Sequence, residues 1–280
     1  MYNYSDPMRI RGITLMDNKV LLFTPMYNCE KQIIRVLGQI TDELREFINE
    51  WIIINNRSTD NGEQSVIDFL SSHDMPIKVT LLRNDENYGL GGSHKVAFDY
   101  AMRYGFEYII VLHGDDQGSI SNILPYLINK DYLEYDCFLG ARFMKGSKLH
   151  GYSKIRTFGN KVFNILFSMG CKQRIYDLGS GLNMYSTSIF KNGYYLKFKD
   201  NLVFNYCMIL GSAYYKHRLK FFPIEWREDD QISNVKMASQ AFTVLKLLCM
   251  FVFRKSKFIE KDHRDRIISS YDAQVIYKNR

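Results

Sequence analysis

Residues 108–118 read YIIVLHGDDQG, five apolar positions running straight into a histidine, a glycine and two adjacent acids. A short apolar run bounded by turn residues is the pattern of a strand buried on both faces. Acids placed directly at the end of such a strand are costly unless donors or a cation satisfy them. Working outward from this stretch, the same pattern recurs upstream. VLLFT at 20–24, WIII at 51–54 and the run 77–82 read as three more strands, and helical spacing follows at 30–50, 61–71 and 92–103. Short apolar strands alternating with helices predict an α/β fold, a mostly parallel sheet covered by helices. Ligands of such sheets bind outside the carboxyl ends of the strands, which makes the loops there the places to look. The second half is less regular, with a strand predicted over 136–142, a long helix over 153–169, strands over 181–185 and 219–223, and an apolar helix over 238–253.

Composition bounds what such a chain does. At 280 residues, with 46% hydrophobic and 24% charged residues, the chain is an ordinary globular protein with ample core. The five cysteines are scattered and none has CxxC spacing, which predicts reduced thiols in a cytosolic protein and neither a zinc site nor a redox pair. The net charge is +7, and the segment after residue 210 holds 14 basic against 8 acidic residues. The 39 Tyr and Phe residues fall mostly within apolar runs, and no RNP-like strand or basic helix-turn-helix is visible, so a nucleic-acid partner is not expected. The most apolar run, FTVLKLLCMFVF at 242–253, is too short for a membrane span of about 20 residues. Phe242, Leu245, Leu248, Cys249 and Val252 can share one helical face beside Lys246, Arg254, Lys255 and Lys257. That pattern suits a helix lying on an anionic membrane surface, and equally a packing helix or a dimer contact. The expected organisation is a main domain over 1–240 and an amphipathic, basic tail over 241–280.

Four loops carry the chemistry. In the first, Pro25 stiffens the strand exit, Tyr27 offers a ring for stacking and Asn28 can cap the following helix. The second, Asn55-Asn56-Arg57-Ser58-Thr59-Asp60, is dense in groups able to read a nucleobase edge. In the third, Gly89-Leu90-Gly91-Gly92 precedes a helix and leaves room for backbone N–H groups to approach an anion, although it is neither a GxGxxG nor a P-loop. In the fourth, an extended backbone would point Asp115 and Gln117 the same way and Asp116 the other. A hard cation bridging to phosphates needs only one or two protein oxygens, and Asp115 with Gln117 meets that need. His113 is a further candidate ligand or a hydrogen-bonded rim residue.

In this order, the four loops resemble those of family 2 glycosyltransferases of the GT-A fold, most similarly the polyprenyl-phosphate type exemplified by dolichol-phosphate mannose synthases. Pro25, Tyr27 and Asn28 match a Pro-x-Tyr-Asn turn, Gly89 to Gly91 a Gly-Leu-Gly helix start, and His113-Gly114-Asp115-Asp116-Gln117 an Asp-x-Asp-x-Gln metal motif. Downstream, Gly140-Ala141-Arg142-Phe143, Arg156, Asp177-Leu178-Gly179-Ser180-Gly181-Leu182-Asn183 and Arg227 followed by Ser233 to Lys236 resemble later family segments, so that the likeness spans roughly 20–240. Asn55 and Asn56 replace an acidic pair, Cys29 a Glu (although Glu30 follows), His113 the first Asp of the metal motif, and Asn183 an Arg.

The resemblance implies an inverting, metal-dependent transfer of a sugar from a nucleotide-diphosphate donor. Asp115 and Gln117 would hold Mg²⁺ or Mn²⁺. Pro25, Tyr27, Asn28, Glu30, Asn55, Asn56, Asp60, Gly89, Gly91, His113, Gly114 and Asp115 would form the donor side, with Arg227 and Lys236 closing over the diphosphate. A polyprenyl phosphate acceptor is already ionised and needs cations, for which Arg142, Lys154 and Arg156 are available. A sugar hydroxyl on a surface polysaccharide or lipid-linked oligosaccharide would need a base, with Asp116 and Asp177 as candidates. Asp177 serves equally well to fix the turn that follows it. An inactive scaffold is the remaining alternative. The expected setting is cytoplasmic, peripheral at the inner membrane face, with a homo-oligomer possible.

Overall fold

In the computed structural model, residues 18–228 and 237–279 are described. The elements follow in the order β1 (Val20–Met26), α1 (Glu30–Leu37), β2 (Glu50–Asn55), α2 (Gly62–Ser72), β3 (Lys78–Asn84), α3 (Gly89–Arg103), β4 (Tyr108–Leu112) and α4 (Leu124–Ile128). The second half adds β5 (Cys137–Ala141), β6 (Lys148–His150), α5 (Lys154–Cys171), β7 (Leu182–Ser186), α6 (Phe204–Tyr215), β8 (Leu219–Pro223), β9 (Glu225–Arg227), α7 (Met237–Phe253), α8 (Lys255–Glu260) and β10 (Ala273–Lys278).

The main sheet has the order β10-β3-β2-β1-β4-β7-β5-β8. Strands β3, β2, β1 and β4 are parallel, whereas β7 is antiparallel to both β4 and β5, and β10 is antiparallel to β3. Alternate residues of each central strand feed two cores, one per sheet face: Leu21, Phe23, Ile52, Ile54, Ile109 and Val111 in one, Leu22, Trp51, Ile53, Ile110 and Leu112 in the other. This two-sided burial is why the strands read as unbroken apolar runs. The chain steps outward from β1 to β3, then returns to place β4 on the other side of β1. The loops after β1 and β4 therefore flank a topological switch point, where α/β sheets bind ligands.

Two expectations change. The helical spacing predicted over 30–50 yields a helix only to Leu37. Gly38 ends it, and the Gln39 side chain is drawn away to the loop after β4, where its Nε2 donates to Asp116 Oδ1 at 2.9 Å. Leu44 still packs on the core from a short 3₁₀ turn at Leu44–Glu46, and Ile40, Phe47 and Ile48 pack on it from the chain to either side. The division at 240/241 also fails to separate the chain. Phe251 and Phe258 are fully buried, Tyr271 Oη accepts from Lys95 Nζ at 3.1 Å, and β10 completes the edge of the sheet. Strand pairing across nearly 200 residues leaves no mark in local composition.

Candidate active site at the sheet switch point

The loop after β1 is built against the loop after β4. Gly114 N–H donates to Pro25 O at 3.2 Å, and a Cβ at Gly114 would stand 2.9 Å from that same oxygen. Only a glycine permits this approach. Tyr27 is half exposed beside it. Asn28, at φ 49°, does not cap α1 as expected. Its Oδ1 accepts from Thr59 N–H at 2.7 Å and so ties loop one to loop two. The carboxylate of Asp60 completes this tie, accepting from Glu30 N–H at 2.9 Å and Gly62 N–H at 3.1 Å at the starts of α1 and α2.

Asn55 and Asn56 are buried and engaged within the protein. Asn55 Nδ2 donates to Glu63 at 2.7 Å and its Oδ1 accepts from Ser58 N–H at 2.8 Å. Asn56 Oδ1 accepts from Tyr88 N–H and Asn84 Nδ2, both at 2.9 Å, and its Nδ2 donates to Asn87 at 2.8 Å. These amides organise loops two and three and are not turned out to read a base edge. The glycine-rich helix start differs likewise. Gly91 and Gly92 donate their N–H groups to Asp200 O at 2.7 and 3.3 Å, and Gly89 to Asn87 Oδ1 at 2.9 Å. The glycines let the segment at 199–201 approach: a Cβ at Gly91 would lie 2.5 Å from Lys199 O. Their amides meet a carbonyl where an anion was expected.

The loop after β4 is a tight turn and not the extended segment expected, because Asp116 adopts φ 57°. Asp116 still points away from solvent. Its side chain is 1% exposed and is clasped by Arg35 Nε at 2.5 Å, Gln39 Nε2 at 2.9 Å and the Arg227 guanidinium. Arg227 Nε also donates to Asp116 O at 2.8 Å, and Arg227 N–H to Gln117 O at 2.9 Å. Strand β9 thus closes over the acidic turn. Burial pushes the Asp115 carboxyl up to about 6; the Asp116 charge adds to this, while backbone amides of Gln117 and of Asp115 itself oppose it. Burial, then the charge of Arg142, holds His113 down to about 4; His94 beside it is pushed to about 3. Both rings are therefore neutral near pH 7, and His113 Nε2 has no hydrogen-bond partner among the described residues.

Arg142 and Asp177 are one unit. Arg142 N–H and Nε both donate to Asp177 Oδ2 at 2.8 Å, Nη2 donates to Oδ1 at 2.8 Å, and Oδ1 also accepts from Gly179 N–H at 3.1 Å. Burial pushes the Arg142 guanidinium down, but the charge and hydrogen bonds of Asp177 outweigh it and hold the group above its ordinary range. The guanidinium also lies over Trp226 at 5.0 Å, Phe143 at 5.2 Å and Tyr152 at 5.8 Å. Arg156 stacks on Tyr152 at 4.8 Å and donates to Glu228 at 2.6 Å. Of the three expected acceptor cations, only Lys154 is exposed with no ion pair among the described residues. Arg142 is a buried pillar whose positive field reaches the site, and not an open phosphate clamp. Lys236 lies outside the described residues.

Arg35, Gln39 and Trp226 escaped the sequence reading. Arg35 lies in the last turn of α1 and Gln39 just past its Gly38 end, and nothing local says that either side chain meets Asp116. Asp115 and Gln117 supply hard oxygen donors at the end of β4. No cluster of three or more His, Cys, Asp or Glu side chains exists among the described residues. That donor set fits a divalent cation whose shell is completed by phosphate oxygens and water, as Mg²⁺-type ions prefer.

A mostly parallel sheet flanked by helices, with an acidic loop after the strand at the switch point, is consistent with the GT-A fold. The chain belongs to glycosyl transferase family 2, whose profile matches residues 22–193. Its fold is similar to that of glucosyl-3-phosphoglycerate synthase from Mycobacterium tuberculosis in complex with Mn²⁺, UDP and glucosyl-3-phosphoglycerate: 11% identity, TM-score 0.60, covering 94% of this chain and 90% of that one. It is similar also to S. aureus TarS 1–349, solved alone and with UDP-GlcNAc, at 16% identity and TM-score 0.56. The match covers 84% of this chain and 66% of the TarS chain solved alone. The chain is thus a glycosyltransferase by family, and its fold is the one these neighbours share.

Proposed function

We propose that this protein transfers a sugar, with inversion, from a nucleotide-diphosphate donor to a polyprenyl phosphate at the inner face of a membrane. The observation that carries the donor half is Asp115, a half-buried carboxyl at the switch point of a family 2 sheet, with Gln117 in the same loop and a His113 nitrogen that has no partner among the described residues. Asp115 and Gln117 would hold Mg²⁺ or Mn²⁺, which neutralises charge on the departing diphosphate. Tyr27, exposed beside loop one, offers its ring to the nucleoside. Arg227 adds fixed positive charge next to the acidic turn, with Lys236 assigned the same task.

For the acceptor half, the engagement of the carboxylates favours a phosphate. A sugar hydroxyl requires a base to remove its proton. Asp116 and Asp177 are each buried under an arginine and several hydrogen bonds, which disfavours that role. A phosphate oxygen is already ionised at pH 7 and attacks without a base. Lys154, and Arg156 on release from Glu228, would hold it. The neighbours named above are solved in complex with UDP or UDP-GlcNAc, which makes uridine donors the first to try.

The test is calorimetric titration of UDP, GDP, CDP and dTDP with and without Mn²⁺, followed by turnover on polyprenyl phosphate. Metal-dependent binding of one nucleotide and transfer to the lipid phosphate support the proposal. Transfer only to a glycan hydroxyl would overturn the acceptor assignment, and absence of all nucleotide binding would favour an inactive scaffold.

A further inference from the structure

Helices α5 and α7 pack side by side, with the Gly170 backbone of α5 against Leu248 and Val252 of α7. Each buries one face: Asn164 and Phe167 from α5, Val244, Leu247, Leu248 and Phe251 from α7. Each also leaves a second apolar stripe in solvent. On α5 it is Ile155, Phe158, Val162, Ile165 and Met169, spaced three and four apart along the whole helix. On α7 it is Phe242, Leu245, Val252 and Phe253. Phe158, Met169 and Phe242 are each 72% exposed, in a chain whose core is otherwise well filled. Val252 borders Gly170 and is itself exposed, so the two stripes meet at the seam between the helices. Contiguous exposed apolar surface of this kind marks an interaction site.

The charge around these stripes selects the partner. Neither α5 nor α7 contains an acidic residue. Lys154, Lys161, Lys172, Arg174, Lys246, Arg254, Lys255 and Lys257 lie on the two helices or just beyond their ends. All eight are exposed and make no ion pair among the described residues. A second copy of this surface would set cation against cation, which disfavours self-association. An anionic bilayer supplies both complements, headgroup charge for the basic rim and an acyl boundary for the stripes. No helix among the described residues is long and apolar enough to cross a membrane.

We infer that the paired outer faces of α5 and α7 form a docking surface for an anionic lipid bilayer. The inference deepens the lipid-acceptor reading, on which its purpose rests. Ile155, at the head of the stripe, adjoins Arg156, which meets Glu228, and the neighbouring Arg227 clasps Asp116. A membrane held on the stripes therefore lies next to the acidic turn. The sequence showed only the α7 part of this surface; the α5 stripe reads as ordinary helix until its neighbours are known.

Sedimentation of the full chain with vesicles tests the surface apart from the acceptor, because the vesicles carry no polyprenyl phosphate. Binding is expected to equal parts of phosphatidylglycerol and phosphatidylcholine, not to phosphatidylcholine alone, and to weaken with salt. Lys161→Gln and Lys246→Gln should each weaken it about fivefold. The double variant Phe158→Glu/Ile165→Glu should abolish it while leaving the far-UV circular dichroism spectrum unchanged, which certifies the fold independently of any nucleotide. Absence of vesicle binding would overturn the inference, as would binding that survives the double variant. A dimer in light scattering that dissociates in the double variant, without vesicle binding, would likewise overturn it and assign the surface to a second copy.

Discussion

Replacing Asp177 by Asn separates two roles that one carboxylate can play. Asp177 takes four hydrogen bonds, three of them from Arg142, and its side chain is 2% exposed. An Asn of the same shape removes the charge and places an NH₂ where donors already converge. Arg142 stays buried without its counter-ion, and breaking one side of such a pair costs about 3–5 kcal/mol. For a chain of this size that is a fall in Tm on the order of 10 °C. Urea unfolding at pH 7.5 followed by far-UV circular dichroism reads the loss as a lower midpoint with an unchanged slope. The companion variant Arg142→Met/Asp177→Leu removes both charges and should recover a large part of it, because the orphaned guanidinium is then gone. If Asp177→Asn lost less than about 1 kcal/mol yet turnover collapsed, the pair would be a minor element of stability and Asp177 would act as a base. That outcome would refute both the structural assignment and the argument for an ionised acceptor.

Three further expectations follow from the same geometry. Asp115 is held up to about 6, above its ordinary 3.8, by burial first, so the folded state binds the extra proton between those values. Stability of the metal-free protein should therefore fall by up to about 3 kcal/mol as pH rises through that window, and Asp115→Asn should flatten the profile, read by urea unfolding in EDTA. Asn56→Ala would strand Tyr88 N–H and one of the two Asn84 Nδ2 hydrogens, the other still reaching Ser93 Oγ, and should lower stability by about 1–3 kcal/mol without changing which nucleotide binds; a switch in nucleotide preference would return Asn56 to the base site. Gly91→Ala would drive a methyl to 2.5 Å from Lys199 O, and thermal unfolding should show a loss of about 1–3 kcal/mol.

Much of the fold was legible in the sequence because strands buried on both faces must be apolar at every position. The runs at 20–24, 51–54 and 108–112 and the loops after them could hardly be read otherwise, and the acids at 115 and 116 stood out by their position. The amphipathic pattern of α7 was also visible, though not which stripe would face the core: Leu248 turned inward while Phe242, Leu245, Cys249 and Val252 stayed out. Side-chain partners were not legible. Asn55 and Asn56 are polar residues in a binding loop by sequence, yet their amides are consumed by Glu63, Ser58, Asn84, Asn87 and Tyr88.

The mostly parallel α/β sheet, the family likeness and the position of the acidic turn could be read from the residues in order, because they depend on local periodicity and short motifs. Only the tertiary structure decided that Arg35, Gln39 and Arg227 converge on Asp116, that Arg142 is locked to Asp177, that β10 closes the sheet edge, and that α5 and α7 share one basic, apolar face. Each of those outcomes joins residues far apart along the chain. The energy of an ion pair or a strand pairing depends on separation in space and on burial, and neither quantity is written in the order of the residues.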